Sequence, residues 1–168
     1  MTTRLCPGLH PLSNGAYAWL APHSSWGRSN AGLITDGEES LLVDTLYDLD
    51  LTGDMLCKMR AAEPAAKAIG TLINTHANGD HCHGNDLVPG AEIIASTASA
   101  LEMNELTPEA MAAIMQSAKE LGPLGEYFQH CFGQFRFDGI RFTPPTRTFD
   151  GELDLKVGDK EVHLIEVG

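Results

Sequence analysis

"LINTHANGDHCHGND", residues 72–86, places His76, Asp80, His81 and His83 within eight positions, with Asn78 and Gly79 between them. The whole chain holds seven histidines, so three in one stretch, directly after an apolar run, point to chemistry rather than to packing. Imidazole and carboxylate are the side chains that ligate divalent metals. A helix would put His76 and Asp80 on one face, four residues apart. Asn78 and Gly79 are poor helix formers, however, and the run before them reads as a buried strand. An extended segment sets residues 76 and 78 on one side. A sharp turn at Gly79 then swings Asp80 and His81 back toward the same point. The expected arrangement is a strand passing into a loop that holds its ligands at the open end of a sheet.

Outward from this stretch, the pattern alternates strands and helices. Upstream, "GAYAWLA" (15–21) reads as a strand, and "AGLIT" and "SLLVD" flank the turn pair Asp36-Gly37 as a hairpin. The continuous "LLV" predicts a strand covered on both faces. A helix is predicted over 49–62. Leu51, Met55, Leu56 and Met59 form its apolar stripe, Asp48 or Asp50 its cap, and Pro64 lies beyond its end. "AIGTLINT" (68–75) is the buried strand that leads into the histidines. Downstream, "AEIIAS" reads as a strand after the Pro89-Gly90 turn, with Ser99 and Glu102 as a capping box for a short helix. A second helix is predicted over 108–121, capped by Thr107, opened by Pro108 and stopped by Gly122-Pro123. "GEYFQHCFGQFRF" (125–137) is aromatic-rich and reads as a lid or a contact surface. The last third returns to strands broken at Asp150-Gly151 and Gly158-Asp159. The fold class is therefore α/β, in α+β layers.

The bulk properties bound the function. A chain of 168 residues suits a single domain, 1–168. A net charge of −12 and a pI near 4.8 argue against broad attraction to nucleic acid or an anionic membrane. No stretch reaches the roughly 20 apolar residues that span a bilayer, and no signal peptide is visible, so the expected compartment is the cytoplasm. Cys6, Cys57, Cys82 and Cys131 have no CxxC spacing and read as free thiols. Nucleophile-elbow, P-loop and dinucleotide glycine motifs are absent.

"LLVDT", followed further on by "THANGDHCHGN", resembles the metallo-β-lactamase-fold hydrolases, whose signature His-x-His-x-Asp-His lies on the loop after a buried strand. "NAGLI", "VPGAEIIAS" and "FDGELDLKVGDKEVHLIEVG" are similar to other strands of that fold. The resemblance implies an αββα sandwich, of which this chain would hold mainly the N-terminal βα half. It implies His76 as first ligand of one metal site, Asp80 and His81 as ligands of a second, and Asp44 as the carboxylate that orients a ligand. Asp80 would also assist proton handling as the catalytic carboxylate. The implied cofactor is zinc, one ion or two, with iron or manganese as alternatives. The implied reaction is attack of metal-activated water on an ester, thioester or lactone. The "THANGDHCHGN" variant is also similar to polyketide-type thioesterases and cyclases.

Two departures matter. Asn78 replaces the second signature histidine, and a carboxamide oxygen is a weaker zinc ligand than imidazole. The family's later ligand motifs do not follow "VHLIEVG", so the domain reads as incomplete at its C-terminus. The expected partners are a small-molecule substrate and a second chain, or the missing half, covering an apolar sheet face. His83 reads as a residue behind the ligands or lining a pocket, and His23 and Trp26 as a substrate mouth. The competing reading is a metal-poor interaction module that keeps the fold without the catalysis.

Overall fold

The computed structural model describes residues 6–22 and 26–167. Seven strands form one mixed sheet in sequential order. They are β1 (Gly8–Pro11), β2 (Ala16–Leu20), β3 (Ala31–Asp36), β4 (Glu39–Val43), β5 (Thr71–Ile73), β6 (Glu92–Ser96) and β7 (Arg147–Phe149). The first four run antiparallel as a meander, and β4 through β7 run parallel. A second sheet holds two antiparallel strands, β8 (Glu152–Val157) and β9 (Lys160–Ile165). The helices are α1 (Leu49–Ala62), the single turn α2 (Gly79–Cys82), α3 (Thr97–Glu102), α4 (Pro108–Ser117) and α5 (Pro123–Phe132).

Period-two alternation in β4 decides the layering. Leu42 points to one face, where Leu33, Leu72 and Ile93 pack on Met55, Leu56 and Met59 of α1. Leu41 points to the other, where Ile73 and Ile94 meet Val157 and the inward Leu153, Leu155, Val162 and Leu164 of the second sheet. Both leucines are fully buried, as the unbroken apolar run predicts. Each contributes about 1.5–3 kcal/mol relative to exposure. The layers are thus helix, sheet, sheet. Outside them, the turn between β8 and β9 is tied to the β3–β4 turn by the Lys160 ammonium, which donates to Thr35 O and Asp36 Oδ1.

Two sequence expectations shift and one holds. The Asp48 carboxylate caps α1 by accepting from Leu51 N, as the pattern suggests. The cap of α3 is Ser96, which accepts from Ser99 N, so the predicted Ser99–Glu102 box lies one turn too late. The helix predicted over 108–121 ends at Ser117, and Pro123 opens a new helix instead of closing the old one. Proline fits a first turn because its missing N–H is not needed there. The aromatic segment 125–137 therefore supplies most of α5. Its Phe128 and Phe132, with Phe135 and Phe137 just beyond, build an aromatic cluster around Tyr47.

Candidate metal centre

The parallel strands all end at one edge of the sheet, and loops leaving such an edge are where α/β proteins place their chemistry. Asp44 leaves β4 there and the 74–83 segment leaves β5. Asp44 is 4% exposed and has φ +62°, a left-handed conformation that costs a non-glycine residue about 1–2 kcal/mol. That bend keeps its N–H on Ile73 O (2.8 Å) while turning the carboxylate over the end of β5. Oδ1 accepts from Thr75 N (2.7 Å), and Oδ2 accepts from Thr75 Oγ1 (2.6 Å) and His81 Nδ1 (2.9 Å).

A carboxylate only accepts, so His81 carries its proton on Nδ1, and the lone pair of the neutral ring sits on Nε2. Burial works against the charged form of His81. The hydrogen bond to Asp44 and the charges of Asp44 and Asp80 outweigh it, and the pKa is raised above the ordinary imidazole value.

The backbone carrying His81 is clamped. Its carbonyl accepts from Thr45 N (3.0 Å) and Asn74 Nδ2 (2.8 Å). Asn74 and Asn85, both nearly inaccessible, exchange amide hydrogen bonds of 2.9 and 3.2 Å. Thr45 Oγ1 donates to the same Asn85 oxygen, and Asn85 Nδ2 reaches Thr143 O (3.1 Å). Ser29 Oγ holds the Asp80 carbonyl. These polar residues bracket the histidine stretch at 74 and 85, a signal the sequence carries but which reads there as ordinary loop polarity.

The sharp turn expected at Gly79 is helical and needs no positive φ. Gly79 opens α2, a single helical turn, with Asn78 as its cap residue. Glycine is needed for room instead: a Cβ would lie 2.4 Å from His83 Cε1 and 2.6 Å from Tyr47 Cε2.

The predicted ligands are only partly gathered. The rings of His76 and His81 stack with centroids 5.3 Å apart, and Asp80 Oδ2 is 3.7 Å from His81 Nε2. Asn78 is exposed, and its N–H makes a long 3.4 Å contact to His76 Nδ1. Among the described residues, no three His, Cys, Asp or Glu side chains stand close enough to hold one ion as placed. By residue type the donor set suits a divalent metal: a carboxylate-oriented imidazole, a second imidazole and a carboxylate. Cys82 is not part of it. Its thiol donates inward to Ala77 O and Asn78 O, and burial pushes its pKa up to about 12.

His83 does not stand behind a ligand. It is 4% exposed, and its ring lies 5.3 Å from that of Tyr47 and edge-on to Phe137. It lines a cavity of about 330 Å³ together with Trp26, Asn78 and Asp80. Trp26, predicted at the substrate mouth, is thus on that wall; His23 lies outside the described residues. A second cavity, about 370 Å³, opens on the other side of the loop between His76, Ser99, Phe149 and Leu164. Glu102 lines both.

Burial lowers the His83 pKa to about 4. The unfolded chain takes up that proton near pH 6.5, whereas the fold refuses it until about pH 4. Stability from this residue is therefore present above pH 6.5 and lost as pH falls to 4, by about 3 kcal/mol. His81 has the opposite sign: its stabilisation is present below the unfolded value and lost as pH rises through its raised one. Urea titrations of the metal-free protein between pH 7 and 4 should show a clearly shallower acid loss for His83→Gln than for the wild type.

The family described as the Metallo-beta-lactamase superfamily matches residues 24–166. Among solved structures, the chain is similar to a metallo-beta-lactamase from Pontibacter korlensis, at 13% identity and a TM-score of 0.59, over 92% of this chain and 58% of that one. It is also similar to TMB-1, at 17% identity and a TM-score of 0.51, over 95% of this chain and 66% of that one. At these identities the likeness is one of fold. The chain spans less than two thirds of the length of either structure. No curated protein matches it. No helix among the described residues is long and apolar enough to cross a membrane.

Proposed function

This chain belongs to the metallo-beta-lactamase superfamily, and from that premise we propose that it is a metal-dependent hydrolase acting on a small-molecule ester, thioester or lactone. The observation that carries the reading is the Asp44–His81 pair. A buried carboxylate on Nδ1 fixes the tautomer, raises the basicity of Nε2 and leaves it beside Asp80, with the His76 ring stacked on that of His81. A zinc ion held there supplies a Lewis acid and brings the pKa of water from about 15.7 toward about 7. Asp80, beside the His81 nitrogen, would orient and accept the proton of the attacking water. Asn78 would act as a weak neutral donor. Because these residues fall short of a closed ligand set, the complete centre draws on further polypeptide, in the same chain or a second one.

Equilibrium dialysis with metal analysis tests the reading. At least one zinc per chain is expected, with hydrolysis of 4-nitrophenyl acetate above that of free zinc. Asn78→His, which restores the stronger donor, should raise zinc affinity about tenfold. Zero zinc bound at micromolar metal, with no gain from Asn78→His, would remove the proposal and leave a non-catalytic module of the same fold.

A further inference from the structure

The geometry points to Asn74 and Asn85 as positioning residues: a buried amide pair that sets where His81 Nε2 stands by holding the main chain of His81. The inference rests on reading His81 as a ligand of the proposed metal centre, and it adds the residues that decide the ligand's place. One hydrogen bond at Nδ1, to Asp44, leaves an imidazole free to pivot about that bond. A second anchor, at the backbone end of the same residue, is needed before Nε2 has a single position. Metal sites tolerate misplacement of only about 0.5 Å.

Helix α2 ends after one turn, so the His81 carbonyl is one of the last in a helix and finds no partner within it. The end of β4 supplies one partner, Thr45 N, and the end of β5 supplies another, Asn74 Nδ2. One donor is enough to satisfy a buried carbonyl. The bond from Asn74 is therefore surplus to satisfaction, and what it adds is direction. Two donors from two strands leave the peptide plane little freedom to rotate.

Asn74 is itself held by Asn85. Both hydrogens of Asn74 Nδ2 are used, on His81 O and Asn85 Oδ1, and its own Oδ1 accepts from Asn85 Nδ2. Asn85 is 1% exposed, and its remaining bonds go to Thr45 Oγ1 and to Thr143 O, in the segment that leads into β7. A buried amide network with every group paired holds one geometry. An apolar side chain could fill the same space, but only an amide both donates and accepts. The path of bonds from Thr143 through Asn85 and Asn74 ends on a candidate ligand.

Asn74→Ala, Asn85→Ser and their double variant test this against Val157→Ala, a control that opens the core beside the start of β5, away from the histidine loop. All four changes lower Tm. Zinc affinity is read by competition with a chromophoric chelator, at a temperature where each protein is folded. It should fall about tenfold in each asparagine variant and by no more than about threefold further in the double variant, because both residues act through one carbonyl. Val157→Ala should stay within about twofold of the wild type. In the metal-free chain, the proton NMR signal of His81 Nδ1–H, assigned by its loss in His81→Ala, should vanish in the asparagine variants and persist in Val157→Ala. Asparagine variants within about twofold of wild-type affinity would overturn the inference, as would an equal loss in Val157→Ala or full additivity in the double variant. Should Asn74→Ala not fold, Asn85→Ser, whose smaller side chain admits a water to pair the freed groups, decides by the same comparison. If the chain takes up no zinc, the hydrolase reading fails and the Nδ1 signal decides. Its loss in the asparagine variants alone supports the positioning role, and its persistence in them overturns it.

Discussion

His81→Ala is expected to lower zinc affinity more than about 100-fold, and Asp44→Asn, which never touches the metal, by about 10–100-fold. Both effects have one cause. The His81 ring is held by a single side-chain hydrogen bond, from Nδ1 to Asp44 Oδ2 at 2.9 Å. Removing the ring removes the donor outright. Replacing the carboxylate by a carboxamide keeps the shape and an acceptor for Thr75 N, but takes away the negative charge that raises the basicity of the ring. Asparagine also tolerates the left-handed backbone at position 44, so the loss reads on electrostatics rather than on unfolding.

The informative contrast is His83→Ala, which should leave affinity within about threefold, because that ring packs on Tyr47 and Phe137. Competition with a chromophoric chelator at neutral pH measures all three variants. Equal losses for His81→Ala and His83→Ala would show that the ligands are misassigned.

Gly84→Ala is expected to destabilise the protein by about 2–3 kcal/mol, a fall in Tm of roughly 5–10 °C. Gly84 has ordinary negative φ, so strain is not the reason. A Cβ there would sit 2.1 Å from Thr52 Oγ1 and 2.6 Å from its Cγ2. Thr52 cannot swing aside cheaply. It is fully buried in α1, and its Oγ1 accepts from Leu46 N at 3.1 Å. The glycine therefore lets the histidine loop pack directly against α1, with Gly84 N donating to Thr45 Oγ1. Thr52→Ala removes the two nearest contacts, leaving its Cβ at 2.7 Å, and so relieves the clash in part at the cost of the bond from Leu46 N. The double variant Thr52→Ala/Gly84→Ala should accordingly be more stable than the sum of the two single losses predicts. Thermal unfolding of the three proteins checks this, and strict additivity would mean that the contact is not the cause.

Much of this molecule was readable from residue order alone, and the portion that was not has a common character. Helix α1 was legible to both ends, because a cap at Asp48, an apolar stripe and Pro64 are local signals. The hairpin of β3 and β4 was legible for the same reason, and "LLV" announced a strand with two covered faces. In the site, residue types and spacing singled out His76, Asp80 and His81, and the resemblance brought Asp44 in behind them. Less legible was anything that depends on partners distant in sequence. Gly79 begins a turn as expected, but its need for room against His83 and Tyr47 shows only in three dimensions, and the helix that Pro123 starts through the aromatic segment is not signalled by the pattern around it.

Sequence by itself determined the layered fold, the strand-end position of the histidine stretch and the chemical types of its candidate ligands, since periodicity, caps and donor identity are properties of neighbouring residues. Only the tertiary structure decided which nitrogen of His81 is free, that Asn74 and Asn85 clamp its backbone, and that Glu102 and Glu105 share a cavity with Asp80. Those facts arise where strands β4, β5 and β6 bring their ends together, and a hydrogen bond or a field between side chains so far apart in the chain exists only once the sheet has assembled.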